Sequence, residues 1–141
     1  MEAKTPAEAF PSIGTVQNPA LFSDGDDLLL SYEIAPAAGG GIAILRFSSV
    51  IHFEQNPTNT KGLADAKYPT RPWEFTEISG ADRTEKWEAL QPRFWTVSFN
   101  DVTVEVVFEK VQYVDRQPDV TCPSVALVDF LSRSAPSAHA R

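Results

Sequence analysis

The feature that most constrains the fold is a regular alternation of apolar and polar residues over residues 42–54. One set of alternate positions is mostly apolar: Ala43, Leu45, Phe47, Ser49, Ile51 and Phe53. The intervening set is mostly polar: Arg46, Ser48, His52 and Glu54. Successive side chains of a β-strand point to opposite faces, so this pattern predicts one long strand with one face in the core and a polar face outside it.

A second alternating stretch predicts a β-hairpin over residues 94–108. Its two apolar-polar runs flank the dipeptide Asn100-Asp101. Because both residues tolerate a positive φ, this dipeptide predicts a two-residue type I′ turn. The adjacent pair Val106-Val107 interrupts the alternation and predicts a β-bulge that rephases the strand.

Shorter segments complete the predicted fold. Residues 27–34 and 73–78 alternate and predict strands. The good helix formers of residues 79–90 favour one short helix, and a wide polar turn is the alternative. Residues 121–131 favour a C-terminal helix with Thr121 as its N-cap, and a terminal strand is the alternative. The apolar stripe expected on that helix is Val125, Val128 and Leu131. The fold class is therefore mainly β: a curved antiparallel sheet of about five strands, as a sandwich or half-barrel, with a short C-terminal helix.

Length and composition predict a single domain. The chain has 141 residues, of which 43% are hydrophobic and 11% aromatic, enough for a core that needs no metal or disulfide. Cys122 is the only cysteine, which excludes an intramolecular disulfide. We expect a β-rich domain over residues 13–131, a flexible N-terminal arm over residues 1–12 and a flexible tail over residues 132–141. Docking of Phe10 and Ile13 at the domain edge is the alternative for the arm.

The net charge of −7 argues against two classes of partner. Nucleic acid and anionic membranes attract clustered Lys and Arg, so neither is an expected partner. No stretch approaches the ~20 apolar residues of a membrane span, and the first residues lack the apolar run of a secretory signal, so the cytoplasm is expected. Solubility accounts for the charge, with a basic protein partner as the alternative. The predicted sheet leaves exposed edge strands, and homodimerisation would cover them.

The strongest candidates for catalysis are His52, Glu54 and Arg46. Residues two apart on a strand share a face, so Glu54 is placed to orient the imidazole of His52 for acid-base work or anion binding. An ordinary exposed polar face is the simpler interpretation. The chain contains only two histidines, too few for the usual three-ligand zinc site, and it carries neither a phosphate-binding nor a dinucleotide fingerprint. No metal or other cofactor is therefore expected.

Two further features have simple interpretations. The acidic residues between 24 and 27 lack the later ligands of an EF-hand and predict an ordinary turn. Cys122 becomes a nucleophile only if a helix N-terminus lowers its pKa, and no histidine lies near it in sequence, so an inert thiol is favoured.

The long connection over residues 55–72 is the strongest candidate for binding. Connections longer than about 12–15 residues are uncommon and often functional. Its basic and aromatic residues, with the residue that follows it, are the proposed binding set: Lys61, Lys67, Tyr68, Arg71 and Trp73. Aromatic residues and Arg dominate binding hot spots. The alternative is that Tyr68 and Trp73 fold back to cover the core.

Two functional hypotheses follow. The first is a non-enzymatic binding or interaction domain that recognises a protein or small ligand through the 61–73 loop and the polar sheet face. The second is a small-molecule-binding or enzymatic β domain with Arg46, His52 and Glu54 on its concave face. The absence of a complete catalytic set in the sequence favours the first.

Overall fold

The computed structural model describes residues 1–57, 68–85 and 87–134. Within them the chain forms strands and helices in the following order. The strands are β1 (Glu2–Lys4), β2 (Ala20–Ser23), β3 (Leu28–Glu33), β4 (Ile42–Ser48), β5 (His52–Pro57), β6 (Phe75–Ser79), β7 (Arg93–Ser98), β8 (Val102–Phe108) and β9 (Lys110–Gln117). The helices are α1 (Asp82–Glu85) and α2 (Pro123–Ser134), with 3-10 turns at Pro36–Ala38 and Glu88–Leu90.

The strands form two antiparallel sheets that pack face to face. The five-stranded sheet has the order β1-β6-β7-β8-β5, and the four-stranded sheet has the order β2-β3-β4-β9. The inward side chains of both sheets make one core, whose larger members include Leu28, Leu30, Tyr32, Leu45, Phe47, Trp95, Val97, Val106 and Phe108. This confirms the predicted mainly β antiparallel class with a short C-terminal helix, as a sandwich.

The single strand predicted over residues 42–54 is wrong. The chain changes sheets between β4 and β5, where Ser49 adopts a φ of 54°. Strands β8 and β9 make the same change, and they pair with β5 and β4 respectively. The two pairs therefore form one ribbon that bends around a corner of the sandwich. Alternation continues through such a bend, so the pattern does not reveal it.

The bulge predicted at Val106-Val107 is also wrong, because β8 is buried on both faces. Val106 faces the main core, whereas Val107 faces a second cluster on the outer side of the five-stranded sheet. Pairing of β8 with both neighbours continues in register through these residues. The irregularity in pairing lies instead between Ile44 and Leu45 of β4, opposite β9.

The turn of the predicted hairpin differs from expectation. Strands β7 and β8 pair as predicted, but neither Asn100 nor Asp101 has a positive φ, which excludes a type I′ turn. The side chain of Asn18 holds this turn instead. Its Oδ1 accepts from the Asp101 amide at 2.7 Å, and its Nδ2 donates to the Asp101 carboxylate at 2.8 Å.

The C-terminal segment is a helix, and its N-cap and apolar stripe differ from the predicted ones. Helix α2 begins at Pro123, so Cys122 rather than Thr121 immediately precedes it. The buried side of the helix packs on β3 and β4: Leu127 and Phe130 lie against Leu29 and Ile44. Ala126 is also buried, and Leu131 of the predicted stripe packs partly buried against this cluster. Val125 and Val128 are exposed, because the stripe begins one residue later than predicted. Residues 132–134 of the predicted tail belong to α2, and residues 135–141 lie outside the described residues.

The segment predicted as a flexible arm makes contacts along the domain. Strand β1 pairs with β6, and Ile13 bridges to Ile34. The hydroxyl of Tyr32 donates to the Pro11 carbonyl at 2.8 Å, and the Ala35 amide donates to the Ser12 carbonyl at 2.8 Å. The N-terminal segment therefore crosses one open end of the sandwich.

Candidate functional site

A cluster of charged groups lies at the inward side of the five-stranded sheet, beneath the N-terminal segment. We call it the Arg93 cluster (Glu8, Glu77, Arg93 and Trp95). Arg93 binds Glu8 through Nη1 and Nη2 at 2.6 and 2.8 Å, and it binds Glu77 through Nε and Nη2 at 3.1 and 2.7 Å. Trp95 Nε1 also donates to Glu77 at 3.1 Å. One guanidinium therefore holds two carboxylates, each in a bidentate manner.

Register explains why these residues meet. Glu77 of β6 lies opposite Trp95 of β7, whose ring is in the core, so Glu77 points inward. Arg93 is two residues from Trp95 on the same strand and therefore shares its face. Glu8 reaches the pair from the N-terminal segment. Side-chain exposure is 28% for Arg93, 26% for Glu8 and 15% for Glu77, so the charges are partly withdrawn from water.

The pKa values reflect this pairing. The hydrogen bonds from Arg93 lower the pKa of Glu8 below its usual range. Burial would raise the pKa of Glu77, but the hydrogen bonds from Arg93 and Trp95 outweigh it and the net change is downward. The two carboxylates in turn raise the pKa of the Arg93 guanidinium. All three groups therefore stay charged at neutral pH, the state in which Arg93 recognises a carboxylate.

Aromatic rings surround the cluster. The Arg93 guanidinium carbon lies 5.5 Å from the ring centroids of Trp95 and Phe108. The ring of Phe10, two residues after Glu8, lies 6.0 to 6.3 Å from three rings that belong to both sheets: Phe75, Trp95 and Tyr113. The cluster is therefore bordered by aromatic rings, and the cation lies near the faces of two of them.

An open cleft of about 310 Å³ adjoins the Arg93 cluster. One wall is the N-terminal segment, including Glu8 and Phe10, and the other is formed by residues 73–75. Trp73 is 40% exposed there and has a φ of 53°, a left-handed conformation that is strained for a bulky residue. Strain of this kind and exposed tryptophans both concentrate at binding sites.

The predicted binding residues of the long connection have different positions. Tyr68 is 4% exposed, stacks edge-on against Phe94 at 4.9 Å and donates to Asp82 at 2.7 Å, so it covers the outer face of the five-stranded sheet. Arg71 is half-buried, and its Nη2 has no hydrogen-bond partner among the described residues. Trp73 lines the cleft. Lys61 and Lys67 lie outside the described residues.

The predicted catalytic residues are only partly brought together. His52 Nε2 lies 3.0 Å from Glu54 Oε1 on the outer face of the five-stranded sheet, where Asn56 donates to Glu54 at 2.8 Å. Arg46 belongs to the other sheet, opposite Leu29, and lies 4.0 Å from Asp27. The expectation that Arg46 shares a face with His52 and Glu54 is wrong, because the chain changes sheets at Ser49.

Other features of the described residues do not form a comparable site. No group of three or more metal-ligating side chains lies together within 1–57, 68–85 and 87–134, and no helix in these ranges is long and apolar enough to span a membrane.

The acidic turn is closed by Asp24, whose carboxylate accepts from the amides of Asp26 and Asp27 at 3.0 and 2.8 Å. A depression of about 540 Å³ lies beside α1, and the described residues that line it include Thr84, Glu85, Glu88 and Gln91.

Cys122 sits at the start of α2, beside Ser124, with 3.1 Å between Sγ and Oγ. The Ser124 hydroxyl, followed by the amides of Val125 and Ser124, lowers the pKa of this thiol.

The Arg93 cluster was not anticipated from the sequence. Its one local signal is Glu77, an acidic residue at an alternate position shared with Phe75. A carboxylate that points into a core needs a cationic or hydrogen-bonding partner, so this position predicts one. The partners come from residues 8 and 93, and only the fold brings them together.

A scan against protein-family models finds no match, and searches of the curated proteins and of the solved structures find no significant similarity to this chain.

Proposed function

We propose that this protein is a non-enzymatic binding domain, and that its ligand binds in the cleft between the N-terminal segment and Trp73. The observation that carries this proposal is the conformation of Trp73. Its large ring is 40% exposed on the cleft wall and its backbone is held at a φ of 53°. Exposing a tryptophan and straining its backbone both cost free energy, and ligand binding is a reason for retaining them.

The proposed binding residue, Trp73, thus lies at the end of the 61–73 loop, and Tyr68 anchors the chain that leads to it. Tyr68 is buried against Phe94 and hydrogen-bonded to Asp82, which fixes the chain five residues before Trp73. The cleft, about 310 Å³, is the size of a small ligand or of a peptide side chain. Glu8, which lines the cleft, connects it to the Arg93 cluster through its ion pair with Arg93.

The test removes the ring while keeping the backbone relaxed. Glycine adopts a positive φ without strain, so Trp73→Gly should leave the fold intact. The matched control is Phe22→Ala, which removes an exposed ring from β2, away from the cleft. Thermal unfolding is measured for each protein against small carboxylates, aromatic compounds, sugars, nucleotides and short peptides.

A ligand at 100 times its Kd should stabilise the parent protein by about 2.7 kcal/mol, which raises Tm by several degrees. We expect that increase to be lost in Trp73→Gly and retained in Phe22→Ala. An increase that survives in Trp73→Gly would overturn the proposed cleft.

A second candidate function uses the outer face of the same sheet, as a small-molecule-binding or enzymatic surface. The observation that favours it is the 3.0 Å contact between His52 and Glu54, which orients the imidazole toward the carboxylate. Glu105 of β8 lies directly opposite Glu54 and adds a second carboxyl group to this face. Arg46 has no part in this candidate, because it lies on the other sheet.

His52→Ala separates the two candidates. If the outer face binds the ligand, the ligand-induced increase in Tm disappears in His52→Ala and persists in Trp73→Gly. If the cleft binds the ligand, the two variants give the opposite result.

A further inference from the structure

The N-terminal segment occupies the Arg93 cluster in the way that a ligand would. Glu8 presents its two carboxylate oxygens to Nη1 and Nη2 of Arg93, at 2.6 and 2.8 Å. This bidentate geometry is the usual way in which an arginine recognises a carboxylate. Glu77 occupies a different edge of the same guanidinium, through Nε and Nη2. The position of Glu8 is thus a carboxylate-binding position that remains if Glu8 leaves.

Phe10 occupies the adjoining apolar position. Its ring lies 6.3 Å from Phe75, 6.0 Å from Trp95 and 6.2 Å from Tyr113, within the open end of the sandwich. Phe10 packs against the core as a partly buried residue, not as one of its fully buried members. A carboxylate and a phenyl ring on one short segment therefore fill two adjacent subsites, one for charge and one for an apolar group.

The contacts that hold the N-terminal segment in place differ between the two sides of Glu8 and Phe10. On the C-terminal side, Pro11, Ser12 and Ile13 bind strand β3 and the residues after it. On the N-terminal side, β1 is three residues long and fully exposed along its length. Such a short edge strand contributes little stability. Opening of the segment from its N-terminal end therefore disrupts only the short β1 pairing and the burial of Pro6 before it reaches Glu8, while Ile13 keeps its place in the core.

We propose that residues 5–10 form a displaceable strap, and that a carboxylate with an aryl or alkyl body takes the places of Glu8 and Phe10. The proposal rests on the proposed binding function, since Glu8 and Phe10 also line the cleft beside Trp73. It makes the strap an intramolecular competitor. The measured affinity is then the intrinsic affinity multiplied by the fraction of molecules with an open strap.

The charge of the site selects for a monocarboxylate. The guanidinium is already paired with Glu77, so one negative charge from the ligand reproduces the present balance of one cation and two anions. A phosphate group would place up to two charges beside Glu77, which the repulsion between like charges disfavours. The apolar body is selected by the rings of Phe75, Trp95 and Tyr113.

The experiment uses the full chain and two probes, 3-phenylpropionate and its neutral amide. The affinity of each probe is measured by isothermal titration calorimetry for the parent, for Glu8→Gln and for the double variant Glu8→Gln/Phe10→Ala. The matched control is Glu2→Gln/Phe22→Ala, which changes the same residue types at exposed positions. We expect the double variant to bind the carboxylate on the order of tenfold more tightly than the parent and Glu8→Gln to be intermediate.

Equal affinity in the parent and both strap variants would overturn the strap, and so would equal binding of the amide. If the carboxylate affinity is unchanged in the strap variants but lost in Trp73→Gly, the cleft stands and the strap fails. If the gain occurs and Trp73→Gly has no effect, the strap stands and the proposed cleft fails.

A second measurement needs no variant. Trypsin cleaves after Lys4, which pairs with Glu77 across β1 and β6. Saturating 3-phenylpropionate should speed cleavage after Lys4 several-fold in the parent protein, because the ligand displaces the strap and frees β1. The amide should leave the rate unchanged. A cleavage rate that stays constant while the carboxylate binds would overturn displacement.

Discussion

The two faces of the five-stranded sheet each carry an ionic group, and the two groups differ in how they are built. The inward group joins Glu8, Glu77 and Arg93 from three separate parts of the chain, with side-chain exposures between 15 and 28%. The outward group joins His52 and Glu54, two residues apart on one edge strand. The inward group therefore connects segments that only the fold brings together, whereas the outward group forms wherever this strand forms.

This difference predicts different roles in stability. An ion pair within one exposed strand is screened by water and contributes little to the free energy of unfolding. An arginine that holds two partly buried carboxylates compensates for their desolvation, and its loss leaves both charges without that compensation. Loss of Arg93 should therefore destabilise the fold strongly, while the outward group should be replaceable at little cost.

The largest expected effect is the loss of Arg93. Arg93→Met keeps much of the apolar stem and removes the cation, leaving Glu8 and Glu77 close together. We expect the free energy of unfolding to fall by about 3 kcal/mol. Arg46→Met is the matched control, because Arg46 is 37% exposed and 4.0 Å from its carboxylate. Its cost should stay within about 0.5 kcal/mol.

Urea denaturation at neutral pH measures both variants. Similar losses in Arg93→Met and Arg46→Met would contradict the contrast between the inward group and exposed ion pairs.

The next effect tests whether Tyr68 is a structural anchor or a ligand contact on the outward face of the five-stranded sheet. Tyr68→Ala removes a ring that packs against Phe94, so we expect a loss of about 3 kcal/mol in unfolding free energy. Tyr68→Phe keeps the ring and removes the hydrogen bond to Asp82, so it should cost about 1 kcal/mol. Urea denaturation again measures both. A Tyr68→Ala protein with parental stability would show that the ring does not anchor the loop.

The inward-facing strand residues could be predicted from sequence because alternation is a local property. Val97 and Val106 lie in the core as the pattern of residues 94–108 indicates, and the antiparallel pairing of this hairpin is as predicted. Val107 is the exception. Its outward side chain is buried in the same cluster as Tyr68, a residue distant in sequence, and alternation does not report such burial.

The bend at Ser49 and the inward ionic group could not be predicted in the same way. Alternation continues through a corner, so the pattern of residues 42–54 wrongly placed Arg46 and His52 on one face. Glu77 was recognisable as an acidic residue in an inward position, yet its partners Glu8 and Arg93 are chosen by strand order and by the path of the N-terminal segment. Those are properties of the whole fold.

A moderate effect is the pH-dependent contribution of Glu8 to stability, which sharpens the comparison between the inward and outward ionic groups. Arg93 lowers the pKa of Glu8, and the net shift of Glu77 is also downward. A carboxyl group whose pKa is lower in the folded state adds stability above its unfolded pKa and loses it as pH falls through the folded value. At pH 7, Glu8→Gln should therefore cost about 1.5 kcal/mol, the contribution of hydrogen bonds to a charged group.

The cost of Glu8→Gln should stay constant from pH 8 to about pH 5.5 and shrink as pH falls below the ordinary glutamate pKa of 4.5. Denaturation at a series of pH values measures it, with the exposed Glu2→Gln as control. A cost that grows on acidification would contradict the assigned direction of the pKa shift.

The smallest expected effect belongs to the outward pair. His52→Ala removes a half-exposed imidazole from an edge strand, and Glu54 keeps the hydrogen bond from Asn56 at 2.8 Å. The free energy of unfolding should therefore change by no more than about 0.5 kcal/mol at pH 7. Urea denaturation of His52→Ala beside Arg93→Met gives the comparison directly. A loss above about 2 kcal/mol would place His52 among the groups that hold the fold together, since exposed pairs do not contribute that much. The contrast between the two faces of the sheet would then be wrong.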